Sequence, residues 1–371
     1  LCFAGMITDG LWTDYNNDGR TDLLVVGEFM APLLFTNTGN GFKKQANTGL
    51  EDLSGWWNGL TAGDFDKDGD TDYLAGNLGR NNYYQFSKKH PLRVYAKDLD
   101  DNGSTDAILS CYFKSEEGTM DEYPVHFWDE LFSQSPKFRN QFSSYKQYGR
   151  ATMRDLLQPY DTSGMLVLQA VYPYSSYINN NGDGTFEARP LPVLAQVAPI
   201  NGMVVLDAND DGNLDVLMTG NDYGNEVFSG RYDACIGIVL LGDGNGNFEY
   251  SSSTATGFLV GGDGKALARI KTLKGSLIIA TQNADSLRVF RSAKESTQGK
   301  DFMPLMTDSH AVLMFDNGKK QKVEFYHGSG YLSQSSRNFE IPSGVKEMIV
   351  HDYSGKSRVV DFQALAARVG H

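Results

Sequence analysis

The segment Asp64-Phe-Asp66-Lys-Asp68-Gly69-Asp-Thr-Asp72 is the clearest copy of an acidic motif from which we predict the fold. Its pattern, D-x-[DN]-x-[DN]-G-x-x-D, occurs four times, and we number the copies loops 1 to 4 in chain order. The oxygen-bearing positions are Asp14, Asn16, Asp18 and Asp22 in loop 1, Asp64, Asp66, Asp68 and Asp72 in loop 2, Asp98, Asp100, Asn102 and Asp106 in loop 3, and Asp207, Asn209, Asp211 and Asp215 in loop 4. Short apolar runs flank every copy, so we predict that each loop joins two neighbouring β-strands.

The side chains at loop positions 1, 3, 5 and 9 offer the hard oxygen ligands that calcium prefers. Glycine at position 6 permits the sharp turn that directs these side chains toward one centre. The sequence therefore predicts up to four calcium ions, one in each loop. Loop 2 should bind most tightly, because each of the other loops has Asn in place of one Asp and so carries less charge.

An EF-hand also begins with D-x-D-x-D-G, but it needs a bidentate Glu at position 12 and flanking helices. Position 12 is apolar in all four copies, where it is Val25, Ala75, Leu109 and Met218. Ordinary Asp-Gly turns would explain a single copy. Four copies with a full set of ligands favour metal binding.

A second pattern, a Gly- and Asn-rich turn closed by Phe, recurs at residues 34–42, 178–186 and 241–248. Such turns supply the positive φ values that hairpins need. Glycine accounts for 40 of 371 residues, which exceeds the usual share of about 7% and indicates many short strands. These repeats predict an all-β fold of the β-propeller type, in which we interpret residues 165–186 as a blade without an acidic loop.

Residues 122–158 break the β pattern. Their apolar and aromatic side chains are spaced mostly three or four apart, which predicts a helical insertion of two or three short helices. We expect the apolar side of these helices to pack on the host domain.

The net charge of −13 argues against nucleic acid as a partner, because phosphates require a basic surface. No apolar run is long enough to cross a membrane. The three cysteines do not form a disulfide framework. The chain begins without Met or a signal sequence, so we interpret it as a processed product or a part of a longer exported protein.

The acidic loops resemble the FG-GAP/VCBS repeats of calcium-binding β-propellers, which also occur in integrin α-subunits. This resemblance covers roughly residues 8 to 292, and the helical insertion resembles one found in large bacterial relatives. It implies a propeller of about six to seven blades over residues 1–300, with calcium bound within blades.

The tail, in which Gly328-Ser-Gly330-Tyr331-Leu-Ser333-Gln334-Ser335 stands out, resembles the ASPIC/UnbV module that follows such propellers. The module is found in secreted bacterial proteins and in the animal cartilage acidic protein. This resemblance implies a small C-terminal β module over residues 301–371. It also implies an exported protein, extracellular or at the cell surface, often associated with the outer membrane.

The sequence contains no H-E-x-x-H, G-x-S-x-G or P-loop motif, and its six histidines lack metal-ligand spacing. We therefore expect a non-enzymatic binding or assembly scaffold that engages protein or glycan at the cell surface. An outer-membrane protein complex is one candidate partner. One alternative is a carbohydrate-active enzyme built on a calcium propeller, like some polysaccharide lyases. Another is the non-catalytic C-terminal part of a larger enzyme.

Overall fold

The computed structural model of the chain describes residues 4–272, 275–291, 300–328, 330–363 and 365. Strands form 44% of the chain and helices only 9%, so the fold is all-β as predicted. The strands before residue 292 are β1 (Met6–Thr13), β2 (Asp22–Met30), β3 (Leu33–Asn37), β4 (Phe42–Lys44), β5 (Gly55–Gly63), β6 (Asp72–Asn77), β7 (Leu92–Lys97), β8 (Asp106–Lys114), β9 (Met120–Pro124), β10 (Leu166–Ala170), β11 (Ser176–Asn180), β12 (Phe186–Pro190), β13 (Ile200–Leu206), β14 (Asp215–Gly220), β15 (Ile238–Gly242), β16 (Phe248–Ser251), β17 (Gly264–Thr272), β18 (Gly275–Gln282) and β19 (Arg288–Arg291).

These strands form five antiparallel units. The first unit is β1-β2-β3-β4, the fourth is β13-β14-β15-β16, and the fifth is β17-β18-β19. Pairing of β2 with β5 joins the first two units into one curled sheet of eight strands. The architecture is propeller-like, while the predicted count of six to seven blades is not confirmed, because the described residues contain five units.

The second unit is split in sequence. Strands β5 and β6 start it, and β11 and β12 complete it on the far side of β6. Between them the chain builds the whole third unit, with strand order β10-β7-β8-β9. Our interpretation of residues 165–186 as one blade was wrong, because β10 belongs to the third unit and β11 to the second.

The helical insertion lies between β9 and β10. It contains α1 (Trp128–Gln134), a 3-10 helix (Pro136–Asn140), α2 (Tyr145–Tyr148) and α3 (Met153–Leu157), which confirms the predicted short helices. Their apolar side packs on the third unit, since Leu131 and Phe138 share a core with Leu99 and Ile108.

Neighbouring units share apolar cores. Side chains of the first two units, among them Leu24, Trp57 and Tyr73, are almost completely buried against one another. The second and fourth units approach so closely that a Cβ on Gly59 would lie 2.0 Å from the carbonyl oxygen of Asn201. Burial of large apolar side chains contributes about 1.5–3 kcal/mol each, so the units stabilise one another through these cores.

The C-terminal strands are β20 (Lys300–Phe302), β21 (Asp308–Phe315), β22 (Lys320–Glu324), β23 (Phe339–Ile341), β24 (Val345–Asp352) and β25 (Ser357–Val359). Four of them form a sheet in the order β22-β21-β24-β25, and β20 pairs with β23. The segment before β23 runs along β17, where the Ser335 hydroxyl accepts a hydrogen bond from Arg269 N. The predicted domain boundary at residue 300 adjoins residues outside the described ranges, so that boundary stays a prediction.

Candidate metal centres

All four loops connect adjacent strands in the same register. The residue before loop position 1 lies directly opposite the Asp at position 9, in the pairs Thr13↔Asp22, Gly63↔Asp72, Lys97↔Asp106 and Leu206↔Asp215. The prediction that each loop joins two neighbouring strands is therefore confirmed. The strand ladders hold both ends of each loop at fixed points.

Two left-handed residues shape every loop. In loop 2 these are Lys67 at position 4 (φ 62°) and Gly69 at position 6 (φ 99°). The same pair occurs as Asn17 and Gly19, Asp101 and Gly103, and Asp210 and Gly212. A Cβ on Gly69 would meet nothing within 4 Å, so the backbone conformation and not the available space favours glycine there. The left-handed residue at position 4 was not predicted, because no single residue type marks it.

Loop carboxylates also cap backbone N–H groups. In loops 1, 3 and 4 the first Asp accepts hydrogen bonds from the N–H groups at positions 5 and 6, as Asp14 does from Asp18 and Gly19. The position 5 side chain accepts from the N–H at position 7 in every loop. These bonds hold the loop in its tight form.

The closing Asp at position 9 is buried, and in the first, second and fourth units it ties its loop to a third strand of the unit. Asp72 accepts from Asn180 N at 2.9 Å, from Phe65 N at 3.2 Å and from the Tyr177 hydroxyl at 2.8 Å. In the first and fourth units, Asn37 N and Gly242 N donate to the closing Asp in the same way. The donors Asn37, Asn180 and Gly242 lie in the three Gly- and Asn-rich turn patterns, so these turns are hydrogen-bonded directly to the acidic loops.

Carboxylate oxygens come together in two of the four predicted ligand sets. Asp64, Asp66 and Asp72 each place an oxygen within 4.8 Å of the others, and so do Asp98, Asp100 and Asp106. The acids of loops 1 and 4 are not grouped this closely among the described residues, and Asn16 and Asn209 stand there at position 3. The other predicted acidic and amide ligands belong to neither group. They are the position 5 residues Asp18, Asp68, Asn102 and Asp211, and the loop 1 and loop 4 residues Asp14, Asp22, Asp207 and Asp215.

Three buried loop oxygens suit a cation. Asp22 Oδ2, Asp64 Oδ1 and Asp100 Oδ1 accept no hydrogen bond although they are shielded from solvent. A buried carboxylate oxygen without a donor is unfavourable unless a cation or a proton is bound nearby. The donor set of loops 1, 2 and 3 therefore fits the hard cation that the sequence predicts.

The electrostatics of the loops lead to the same conclusion. Burial raises the pKa of Asp64 to about 7 and that of Asp72 to about 8, and nearby Asp charges add to the effect. Burial likewise raises the pKa of Asp22 to about 7 and that of Asp215 to about 6. Charge repulsion of this kind is what a bound divalent cation would relieve.

Strand β22 of the C-terminal sheet covers loops 1 and 2. The buried Lys322 ammonium donates to the main-chain oxygen of Asp14 and to Asn17 Oδ1, both at 2.6 Å. Its backbone N–H donates to Asp64 Oδ2 at 2.9 Å. Glu324 Oε1 accepts from Asp14 N at 2.9 Å. Sequence reasoning missed these residues, since Lys322 lies in a lysine-rich stretch that is typical of a solvated surface.

A cavity of about 880 Å³ lies between the second and fourth units and the C-terminal strands. Asp207 of loop 4, Arg269, Tyr326 and Asn338 line it, together with apolar side chains. Asn338 is only 9% exposed, and neither of its amide atoms has a hydrogen-bond partner. Asn338 therefore brings to the cavity wall a donor and an acceptor that are shielded from solvent and have no hydrogen-bond partner.

Residues 14–75 match the model of the FG-GAP-like repeat family. The matched segment contains loops 1 and 2 and strands β2 to β5, and it includes the β2–β5 junction of the curled sheet. FG-GAP repeats are generally involved in ligand binding or adhesion and often bind calcium. No curated protein matches the chain. The resemblances to VCBS repeats and to the ASPIC/UnbV module stay predictions.

The chain is thus an all-β, propeller-like protein that contains an FG-GAP-like repeat and acidic loops able to hold metal ions. In the described part of the chain, no helix is long and apolar enough to cross a membrane.

Proposed function

We propose that this protein is a calcium-stabilised binding or assembly scaffold that acts outside the cell, at the cell surface or outer membrane. The observation that carries this proposal is the common register of the four acidic loops, three of which bury a carboxylate oxygen without a hydrogen-bond donor. The export and surface location rest on the sequence resemblance described above.

Calcium would be held by the Asp and Asn side chains at positions 1, 3, 5 and 9 of each loop. When bound, it would supply positive charge that keeps these crowded carboxylates ionised. A structural role is favoured because the loops lie in four different units and each is fixed in its own strand ladder. An ion that binds only the folded state stabilises it by about 2.7 kcal/mol when its free concentration is 100 times Kd.

Elemental analysis of protein equilibrated in millimolar calcium tests this proposal. We expect up to four ions per chain, with loops 2 and 3 occupied first because their carboxylates already lie together. Fewer than two ions per chain would show that the calcium interpretation is wrong.

A glycan is the partner that the cavity suits best. The four acidic side chains around it outnumber the cations Arg269 and Lys322, which are themselves engaged in ion pairs. The acids are Asp207, Asp210, Glu324 and Glu340. Anionic ligands are therefore disfavoured, whereas adjacent sugar hydroxyls could pair with both ends of the Asn338 amide once that side chain turns out into the cavity.

Glycan-array binding by the wild type and by Asn338→Ala tests the partner. We expect the variant to lose the neutral glycans that the wild type binds. Asn317→Ala, at the exposed turn between β21 and β22, is the matched control and should bind like the wild type. Equal binding by all three proteins would exclude the cavity as the glycan site.

The alternative of a polysaccharide-lyase-like enzyme needs a basic or tyrosine side chain that can take a proton in this cavity. Lys322 is tied to Asn17 and Asp14, and Arg269 is paired with Glu340 at 2.7 Å. Burial raises the pKa of Tyr326 well above its ordinary value. These contacts favour binding over turnover. An assay for cleavage of acidic polysaccharides separates the two, since turnover would overturn the scaffold proposal.

A further inference from the structure

The side chain of Lys322 projects from strand β22 into loop 1 and is only 4% exposed. Its ammonium group lies 3.8 Å from Asp14 Oδ2 and 3.3 Å from Glu324 Oε1, in addition to its hydrogen bonds to the Asp14 carbonyl and to Asn17. Asn17 is the left-handed residue at position 4 (φ 56°). The lysine thus holds the start and the corner of the loop together.

Loop 1 differs from the other loops in the positive charge that the protein places at its ligand carboxylates. Loops 3 and 4 each contact one lysine, but at other positions: Lys137 donates to Leu99 O and lies 3.9 Å from Asp101, and Lys67 donates to Asn213 Oδ1. Asp18 pairs with Arg20 at 2.8 Å, so loop 1 has two protein cations for its three carboxylates. Loop 2 has five carboxylates, counting Asp70, and none of them lies within 4 Å of a Lys or Arg side-chain nitrogen in the described part of the chain. Repulsion among ligand carboxylates is therefore partly offset in loop 1 without a metal ion.

The same lysine also fixes the C-terminal sheet to the propeller-like units. Glu324, its neighbour on the same face of β22, accepts from Asp14 N and from the Thr71 hydroxyl. The side-chain contacts of loop 1 and the docking of β22 thus involve one connected set of groups. Whatever orders loop 1 also orders β22.

We propose that Lys322 is a positioning residue of loop 1, a tethered cation that keeps loop 1 and β22 ordered when calcium is removed. Loops 3 and 4 then depend more on the ion, because among the described residues Lys137 and Lys67 lie beside these loops without an ion pair to a ligand carboxylate. This inference rests on the proposed calcium function, because it divides the loops by their need for calcium.

Hydrogen exchange measured by mass spectrometry, in millimolar calcium and in excess chelator, tests the proposal. In the wild type we expect exchange in loops 3 and 4 to accelerate at least about tenfold on chelation, while loop 1 and residues 320–324 change by less than about threefold. In Lys322→Met, loop 1 and residues 320–324 should become as sensitive to chelation as loop 3. Lys322→Arg should restore the wild-type pattern.

Lys320→Met is the matched control, since Lys320 lies on the same strand but is exposed. It should behave like the wild type. If Lys322→Met opens loop 1 equally with and without calcium, or leaves it unchanged in both, the proposal is overturned. If the Met variant does not fold, hydrogen exchange of the wild type alone still tests the proposal. Equal acceleration of exchange in loops 1 and 3 on chelation would contradict a tethered cation.

Failure of the calcium proposal would look different. In that case chelation would leave loops 3 and 4 of the wild type unchanged, and elemental analysis would find fewer than two ions. The tethering by Lys322 would then be tested by comparing hydrogen exchange of loop 1 in the two variants. Faster exchange in Lys322→Met than in Lys320→Met would support it, and equal exchange would contradict it.

Discussion

Asp18 and Asp68 occupy position 5 in loops 1 and 2, and the two side chains make the same hydrogen bond to the N–H at position 7. They differ in their electrostatic surroundings. Asp18 pairs with Arg20, whereas Asp68 faces Asp66 and Asp70. Replacing each by Ala therefore compares one ligand position in two loops of different charge.

In millimolar calcium we expect Asp68→Ala to be the more destabilising change. If loss of this ligand weakens the ion about a hundredfold, the free energy of unfolding falls by about 2.7 kcal/mol. Asp18→Ala should cost less than about 1 kcal/mol. Its loop is already partly neutralised, and its exposed ion pair with Arg20 contributes about 0–1 kcal/mol.

In excess chelator the two effects should differ in sign. Burial and then the charge of Asp68 raise the pKa of Asp66, so the metal-free loop 2 is destabilised by like charges. Two such charges a few ångströms apart repel by about 1 kcal/mol in a water-like dielectric. Asp68→Ala should therefore be neutral or stabilising by up to about 1 kcal/mol without calcium, while Asp18→Ala, which loses the Arg20 pair, should remain slightly destabilising.

Urea unfolding of both variants and the wild type, in calcium and in chelator, measures all four differences. The reasoning would be refuted if Asp68→Ala lowered the free energy of unfolding equally in both conditions. It would also be refuted if Asp18→Ala were the costlier change in calcium.

Three other predictions follow from the same geometry. Excess chelator should lower the melting temperature markedly, since each ion contributes about 2.7 kcal/mol at 100 times Kd; an unchanged calorimetric melt would remove the structural role of calcium. Asp72→Ala should lower the free energy of unfolding by about 3–5 kcal/mol both with and without calcium, because it leaves the buried N–H groups of Asn180 and Phe65 without their acceptor; a loss confined to calcium would contradict this. Burial and the charge of Lys322 lower the pKa of His310 to about 4. The stability that neutral His310 contributes to the folded state should therefore be complete above about pH 6.5 and lost as the pH falls to about 4, which lowers the free energy of unfolding by at most about 3 kcal/mol. Across this pH range the free energy of unfolding should fall less steeply for His310→Gln than for the wild type. Parallel curves would show that His310 does not cause the pH dependence.

The local chemistry of the loops could be predicted from the sequence, because it depends on residues a few positions apart. The spacing of Asp64, Asp66 and Asp72 is sufficient to predict that their carboxylates lie together, and the apolar flanks are sufficient to place each loop between paired strands. The relation between the acidic loops and the Gly- and Asn-rich turns was not predicted. It depends on which strands pair, since the donor to the closing Asp lies 15 residues away in the first unit, 27 in the fourth and 108 in the second.

The split of the second unit left one signal that sequence reasoning could have used. The turn pattern at residues 178–186 has no acidic loop directly before it, whereas those at residues 34–42 and 241–248 do. Loop 2 has no turn pattern directly after it, and this turn pattern has no acidic loop directly before it. Such a pair indicates that a further structural unit has been inserted between the loop and its turn. The role of Lys322 left no such signal, because its partners are some three hundred residues away and nothing in its neighbours distinguishes it from the exposed Lys320.

The split has a consequence for the order in which the molecule can form during synthesis. The second unit cannot be completed until β11 and β12 have left the ribosome, by which time the whole third unit is already available to fold. With the intervening segment unfolded, closing a loop of roughly ninety residues costs about 4 kcal/mol of chain entropy. The two ends of that segment meet where Gly79 N donates to Pro173 O at 2.9 Å, so a folded third unit presents its ends side by side and removes most of that cost. Folding of the third unit should therefore precede the completion of the second unit and accelerate it.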